Sequence, residues 1–128
     1  MMVMQNTGVA EANEMLKVEG LSKIFNGHYA LENIGFSVHR GEIVGLIGRS
    51  GAGKTTLLRC LNGAETLDSG HVLVEGKNLS VLKERELLAL RQRIGLVFQG
   101  FNLLQSRTVA GNISLGLEIL GVPKKERQ

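Results

Sequence analysis

Apolar and polar residues alternate through the first third of the chain. Leu16 and Val18, with Leu21, fall to one side of Lys17 and Glu19, the two-residue period of a half-buried strand. Ser22-Lys23-Ile24-Phe25 carry that strand to Asn26-Gly27, a dipeptide that favours a tight hairpin. Extended structure resumes over 29–31. Ile34, Phe36 and Val38 then alternate with Gly35, Ser37 and His39, predicting another strand with one buried face. Arg40-Gly41-Glu42 is a tight turn. Residues 43–47, Ile-Val-Gly-Leu-Ile, are continuously apolar, which predicts a short strand covered on both faces. Strands joined this way pair as hairpins, so an antiparallel sheet is expected at the start of the chain.

The period changes after residue 54. Residues 55–61 read as a helix closed by Asn62-Gly63, a common C-terminal stop. Asp68-Ser69-Gly70 is a turn, 71–75 a strand with Val72 and Val74 on one face, and 75–78 another turn. After 79–82, residues 83–93 predict a charged helix. In it Leu87, Leu90 and Ile94 keep helical spacing, while Glu84, Arg85, Arg91 and Arg93 face water. Residues 94–98 form a second short apolar run, the size of a parallel strand in a covered sheet. A loop follows over 99–107. Thr108 is placed to cap a helix over 109–120, which Gly111 and Gly116 weaken and Gly121-Val122-Pro123 ends. Residues 124–128 look like the first turn of another helix. No repeat or low-complexity segment interrupts this order.

Composition narrows the classes. The 128 residues suffice for one modest core, and 43% are hydrophobic, ordinary for a globular chain. Only 4% are aromatic and none is Trp, so Leu, Ile and Val must fill the interior. Fifteen Lys and Arg against twelve Asp and Glu leave a formal charge of +3. The basic residues are scattered, with no run longer than Lys124-Lys125, so no nucleic-acid footprint is read. Cys60 is the single cysteine. It cannot form an internal disulfide, which suits a reducing cytosol, and its place on the helix after residue 54 fits a small packing residue. No apolar run approaches the roughly 20 residues of a membrane span. Residues 1–14 lack the basic and apolar regions of a signal peptide and are expected to be a polar, disordered leader, with Met15 an alternative start.

One stretch carries chemistry. The run 43–47 leads into Gly48-Arg49-Ser50-Gly51-Ala52-Gly53-Lys54-Thr55, and this octet leads into Thr56 and the helical pattern. It is G-x-x-x-x-G-K-T with a predicted strand before it and a helix after it. Glycines let successive backbone N–H groups converge on one anion, and the start of the helix adds the positive end of its dipole. Lys54 is expected to reach the β- and γ-phosphates and the Thr55 hydroxyl to ligate Mg²⁺. The bland alternative, a glycine-rich turn before an ordinary helix, does not account for both flanks.

From 16 to 128 the chain resembles the N-terminal part of an ATP-binding cassette (ABC) transporter ATPase. Three features carry the resemblance: the octet 48–55, Phe25 in Ser-Lys-Ile-Phe-Asn-Gly, and Ile94-Gly95-Leu96-Val97-Phe98-Gln99. The resemblance implies an α/β fold. It is a P-loop NTPase (ABC ATPase) core, incomplete, with an N-terminal antiparallel β subdomain and with residues 15–128 as part of a nucleotide-binding domain. It implies ATP and Mg²⁺ as cofactors, held by Phe25, Gly48, Arg49, Ser50, Gly51, Ala52, Gly53, Lys54, Thr55 and Thr56. Phe25 would stack on adenine: taken alone it reads better as a plain core aromatic, and Tyr29 competes for the place, but Phe25 matches the family position without gaps through to Lys54. Gln99 would be the Q-loop glutamine, contacting Mg²⁺ or the attacking water. Lys54 and Gln99 are thus the expected catalytic residues, and Thr55 and Gln99 the expected metal contacts.

Within the family, the stretch from Gln99 through Phe101 to Val109, then Asn112-Ile113, resembles methionine importers' ATP-binding subunits, as does Leu58-Arg59-Cys60-Leu61-Asn62. Gly100 departs from them, since a His or other polar residue is usual there. The resemblance implies a transmembrane permease docked on the loop 101–109, a second ATPase subunit forming a homodimer, and a peripheral place on the cytoplasmic face of the membrane. The sequence holds no Leu-Ser-Gly-Gly-Gln, no apolar strand ending in Asp-Glu, and no histidine placed as a γ-phosphate switch. Two other readings therefore stand beside the importer: a catalytically dead nucleotide-binding fragment, and a non-transport ABC ATPase. The single cysteine and mild charge speak against the second.

Overall fold

A computed structural model describes residues 2–4, 13–100 and 102–127. Their elements run β1 (Met2–Met4), β2 (Glu14–Phe25), β3 (His28–His39), β4 (Gly45–Ile47), α1 (Lys54–Leu61), β5 (Ser69–Val74), β6 (Lys77–Asn78), α2 (Glu84–Arg91), α3 (Val109–Ile113) and α4 (Leu115–Ile119). Tight 3₁₀ turns stand at Leu79–Val81 and Lys124–Glu126. The chain divides into two units, 1–91 and 92–128.

The first unit is built on a four-stranded antiparallel sheet of order β3-β2-β5-β6. The expected Asn26-Gly27 hairpin joins β2 to β3, with both turn residues at positive φ (50° and 78°), as a type I′ turn requires. The two extended stretches predicted on either side of residue 33 are one continuous strand. Strict two-residue alternation does not carry through β2, although Leu21 shares the buried side with Val18 as expected. Val18 lies opposite Phe36, but Leu21 lies opposite Ile34, so β2 uses an extra residue where Gly20 turns left-handed at φ 58°. Such a bulge moves every later side chain to the other face. Leu21 and Lys23 are buried as a result, at 0% and 7% exposure. The core joins Val18, Leu21, Leu31 and Val72 of the sheet to Leu57 and Cys60 of α1. Burial among these groups pushes the Cys60 thiol pKa up, with Glu65 adding to the effect.

Helix α1 ends as expected at Asn62-Gly63, and α2 secures that end. Arg91 donates from Nε to the Asn62 carbonyl at 3.1 Å and from Nη2 to the Gly63 carbonyl. These carbonyls have no partner inside the helix, and a cation there also opposes the dipole.

Two expected buried strands differ. Of 43–47 only Gly45–Ile47 is strand, Ile43 is 93% exposed, and β4 pairs antiparallel with β1. Residues 94–98 have no regular structure, and Val97 is 97% exposed. A strand exists only through its neighbours' hydrogen bonds. Among the described residues no parallel neighbour pairs with either run. Of the expected disordered leader 1–14, residues 1 and 5–12 lie outside the described residues, whereas Met2–Met4 form β1.

In the second unit, Thr108 caps α3 by accepting the Gly111 N–H at 3.1 Å. The single helix expected over 109–120 is two short ones that meet at Ser114, α3 and α4. Asn112 ties the preceding loop to α3. Its Oδ1 accepts the Leu104 N–H at 2.8 Å, and its Nδ2 donates to the carbonyls of Leu104, Arg107 and Thr108. Glu118 receives both Arg107 (2.8 and 3.2 Å) and Arg127 (3.0 Å). The bond from Arg107, then its charge, holds the Glu118 carboxyl below the usual carboxylate range.

Candidate phosphate-binding loop

The octet 48–55 connects β4 to α1, the placement its spacing predicts. Gly51 and Gly53 both adopt left-handed φ, 79° and 83°, a conformation L-residues avoid. The two glycines differ in surroundings. A Cβ on Gly51 would meet nothing within 4 Å, but one on Gly53 would stand 2.3 Å from the Ala30 carbonyl oxygen and 2.9 Å from Leu31 Cδ2. The loop therefore enters α1 pressed against β3. The Ala52 N–H donates to the Arg49 carbonyl (3.1 Å) and the Leu57 N–H to that of Gly53 (2.8 Å), so the loop closes on itself before the helix begins. Gly53 is the N-cap and offers no side-chain cap, which leaves the first N–H groups of α1 available to an anion.

Lys54 folds back over the loop, its Nζ donating to the carbonyls of Gly48 (2.6 Å) and Arg49 (2.7 Å). This ammonium is exposed and held at the mouth of the loop. Gly48, Arg49, Ser50 and Gly51 are exposed, Ala52 and Thr56 half-buried, and Thr55 exposed on the first turn of α1. No acidic residue lies in that turn. The site is thus a cluster of backbone donors and one cation, electropositive and open to water.

The described residues hold no group of three His, Cys, Asp or Glu able to cage a metal. Magnesium bound with a phosphate needs no such cage. It keeps most of its waters and takes one or two protein oxygens beside the phosphates. The exposed Thr55 hydroxyl, one residue after Lys54, fits that donor role.

Phe25 ends β2 opposite His28, and Tyr29 lies opposite Ile24 on β3. They are 43% and 58% exposed, so both remain available for stacking and neither is a core residue. Tyr29 precedes Ala30, whose carbonyl Gly53 touches. Gln99 belongs to the second unit, exposed in a bend. Beyond it a groove of ≈ 410 Å³ is lined chiefly by Leu103, Leu104, Val109 and Ile113, all four exposed. Phe101, expected at the start of this partner-facing loop, lies outside the described residues.

Sequence reading missed one group. Lys23 Nζ is 3.3 Å from Glu65 Oε1 and 3.5 Å from Asp68 Oδ2, and it stands 5.1 Å from the centroid of the Phe25 ring. In the sequence Lys23 is one charge in a strand and Asp68 one turn residue. Only the bulge at Gly20 turns the lysine inward to meet the loop after α1. Burial pulls the Lys23 ammonium pKa down, but the hydrogen bond it donates to Glu65 and the charges of Asp68 and Glu65 prevail and raise it. Asp68 is held below its ordinary value, first by the Ile24 N–H it accepts at 2.7 Å and then by Lys23, against a smaller cost of burial.

A carboxylate whose folded pKa is depressed stabilises above its unfolded pKa, about 3.9 for Asp. That contribution is lost as pH falls through the folded value. Asp68→Asn should therefore lower the urea midpoint at neutral pH, with the gap to wild type narrowing toward about pH 3. A gap independent of pH would show that the Asp68 charge contributes nothing.

Among the described residues no helix is long and apolar enough to cross a membrane. The model of the ABC transporter family matches residues 31–128. The methionine import ATP-binding protein MetN of Rhizobium johnstonii is 50% identical over 118 residues, 92% of this chain and 33% of that protein. MetN of Clostridium acetobutylicum is 47% identical over 112 residues, 88% of this chain and 35% of that protein. The chain thus spans about a third of the length of these relatives. Among solved structures, the ATP-binding cassette MJ0796, a dimer in a post-hydrolysis state bound to ADP and Pi, matches with TM-score 0.73 and 28% identity, over 88% of this chain and 52% of that one. CbiO1 of Clostridium perfringens, part of an ABC transporter complex, matches with TM-score 0.74 and 33% identity, over 90% and 46%. The antiparallel sheet with its helices is accordingly an incomplete ABC ATPase fold, and from the family match over 31–128 the chain belongs to the ABC transporter family.

Proposed function

We propose that this chain is part of the ATP-binding subunit of an ABC importer, most consistent with methionine uptake, and that its own residues bind the nucleotide. The observation that carries this is the loop 48–55, which combines two left-handed glycines, a helix start without a side-chain cap, and Lys54 folded over the loop. In this reading the loop's N–H groups and Lys54 take the phosphates. Thr55 gives an oxygen to Mg²⁺, with Thr56 beside it on α1, and Phe25 stacks on the base. The metal, when bound, screens phosphate charge and draws it off the leaving oxygen. Gln99 would contact that metal or the attacking water, and the groove beyond it, with its exposed leucines, would receive a transmembrane permease. Residues 15–128 would form the N-terminal part of a nucleotide-binding domain that dimerises and sits peripherally on the cytoplasmic membrane face. Hydrolysis needs a group that orients the attacking water, and no residue of the loop 48–55 supplies one. ATP binding without turnover is therefore the activity assigned to these residues themselves. The identity of about half the residues to two MetN proteins supports the transported solute.

Calorimetric titration of the chain with ATP in Mg²⁺ tests this. Saturable binding is expected, weakened when Mg²⁺ is removed, and Thr55→Ala should bind ATP with little remaining dependence on the metal. A wild-type chain that takes up no ATP would overturn the reading.

A further inference from the structure

The group around Lys23 joins strand β2, which ends in Phe25, to the loop that follows α1. Lys23 is only 7% exposed, and its ammonium sits among Glu65 (3.3 Å), Asp68 (3.5 Å) and the Thr66 hydroxyl (3.4 Å). The same ammonium stands over the Phe25 ring. The loop that supplies those partners is fixed at both ends. Toward α1, the Glu65 N–H donates to the Arg59 carbonyl (3.1 Å) and Arg59 Nη2 lies 3.5 Å from Glu65 Oε2. Toward β2, the Asp68 N–H donates to the Ser22 carbonyl (3.1 Å), and Asp68 Oδ2 accepts the Ile24 N–H. The backbone on either side of Lys23 is therefore held by the loop that the phosphate-binding helix carries.

We propose that Lys23 is a positioning residue for base recognition. By standing over one face of Phe25 while anchored to Glu65 and Asp68, it fixes the ring for a purine stacked on the other face. This rests on the reading of Phe25 as the stacking residue. The physical need is plain. Phe25 ends a strand at 43% exposure, with no core around it to fix its rotamer. Ordering a free side chain on binding lowers affinity. A cation–π contact from a lysine that is itself immobilised removes that cost before the base arrives. The partners also say why the cation is lysine: three acceptors at 3.3–3.5 Å from Nζ suit the three rotatable donors of one ammonium.

A purely structural ion pair would explain Glu65 and Asp68 equally well, but it predicts no selectivity for the base. Calorimetry on the full chain with Mg–ATP and, separately, with inorganic tripolyphosphate distinguishes the two. Phe25→Ala should weaken ATP by about fivefold or more, the range of lost base stacking, and leave tripolyphosphate unchanged. Lys23→Met, which keeps the alkyl stem, should weaken ATP about 3- to 10-fold with tripolyphosphate again unchanged, and Lys23→Arg should restore part of the loss. Asp68→Asn, which loosens the anchor without touching the ring, should move ATP in the same direction by less. If Phe25→Ala weakens ATP while a folded Lys23→Met binds like wild type, the proposal is overturned and the stacking reading stands. If Lys23→Met weakens both ligands equally, Lys23 acts on the fold rather than on the ring, and the proposal is again overturned. If Phe25→Ala has no effect, the stacking reading fails and takes the proposal with it.

Discussion

Lys54→Ala is expected to weaken Mg–ATP binding by roughly 100-fold or more, the equivalent of two charge-assisted hydrogen bonds at about 1.5–3 kcal/mol each. Its thermal midpoint should stay close to wild type. The two halves of this expectation come from one geometry. Without nucleotide the ammonium donates to the carbonyls of Gly48 and Arg49. Both residues are exposed, so water replaces the lysine when it is removed. Exposed groups of this kind change stability by about 0.5 kcal/mol or less. A phosphate bound at the mouth of the loop has no comparable substitute, because backbone N–H groups carry only partial charge. Lys54→Arg should fall between the two, since it keeps the charge but presents a planar fork to a site shaped for a compact ammonium. Calorimetric titration alongside thermal melts reads both quantities. An alanine variant that binds like wild type would remove Lys54 from the phosphate site, and one that melts far lower would show the lysine to be structural.

Gly53→Ala is expected to destabilise the first unit by about 3 kcal/mol or more, and Gly51→Ala by only about 1–2 kcal/mol. Both positions are left-handed, at φ 83° and 79°, so each alanine incurs the same backbone penalty. Only Gly53 adds a steric term, because the new Cβ would stand 2.3 Å from the Ala30 carbonyl oxygen. That atom is backbone within β3, a strand paired with β2, and cannot swing aside as a side chain could. Either the loop lifts off β3 or the strand shifts, and Leu31, whose Cδ2 also stands against Gly53, shifts with it. In a domain of this size the loss corresponds to a drop of about 10 °C or more in the melting midpoint for Gly53→Ala. Equal drops for the two variants would show that the close approach at Gly53 is not what holds the loop.

Much of the candidate site was legible in the chain because its logic is local. The spacing of Gly48, Gly53, Lys54 and Thr55 placed a phosphate loop between a strand and a helix, and both flanks are found there. Asn26-Gly27 marked its own hairpin, Asn62-Gly63 its own helix end, and Thr108 its own cap, since each depends on backbone geometry within a few residues. The runs 43–47 and 94–98 read as buried strands from apolarity alone. Apolarity reports a preference for partners and does not report whether partners are paired with it. The break at Ser114 was hinted at by Gly111 and Gly116, which weaken a helix on either side of it.

The sequence by itself determined which groups the candidate site offers: a glycine-rich loop, a lysine and a threonine at its end, and two aromatics upstream. Tertiary structure alone decided which charged residues join that site. Lys23 became part of it because one left-handed glycine, Gly20, inserts a residue into β2 and turns the rest of the strand over. It carries the lysine to the acidic loop that follows α1. Alternation along a strand cannot reveal this. A bulge changes the face of every later residue while altering the composition of none.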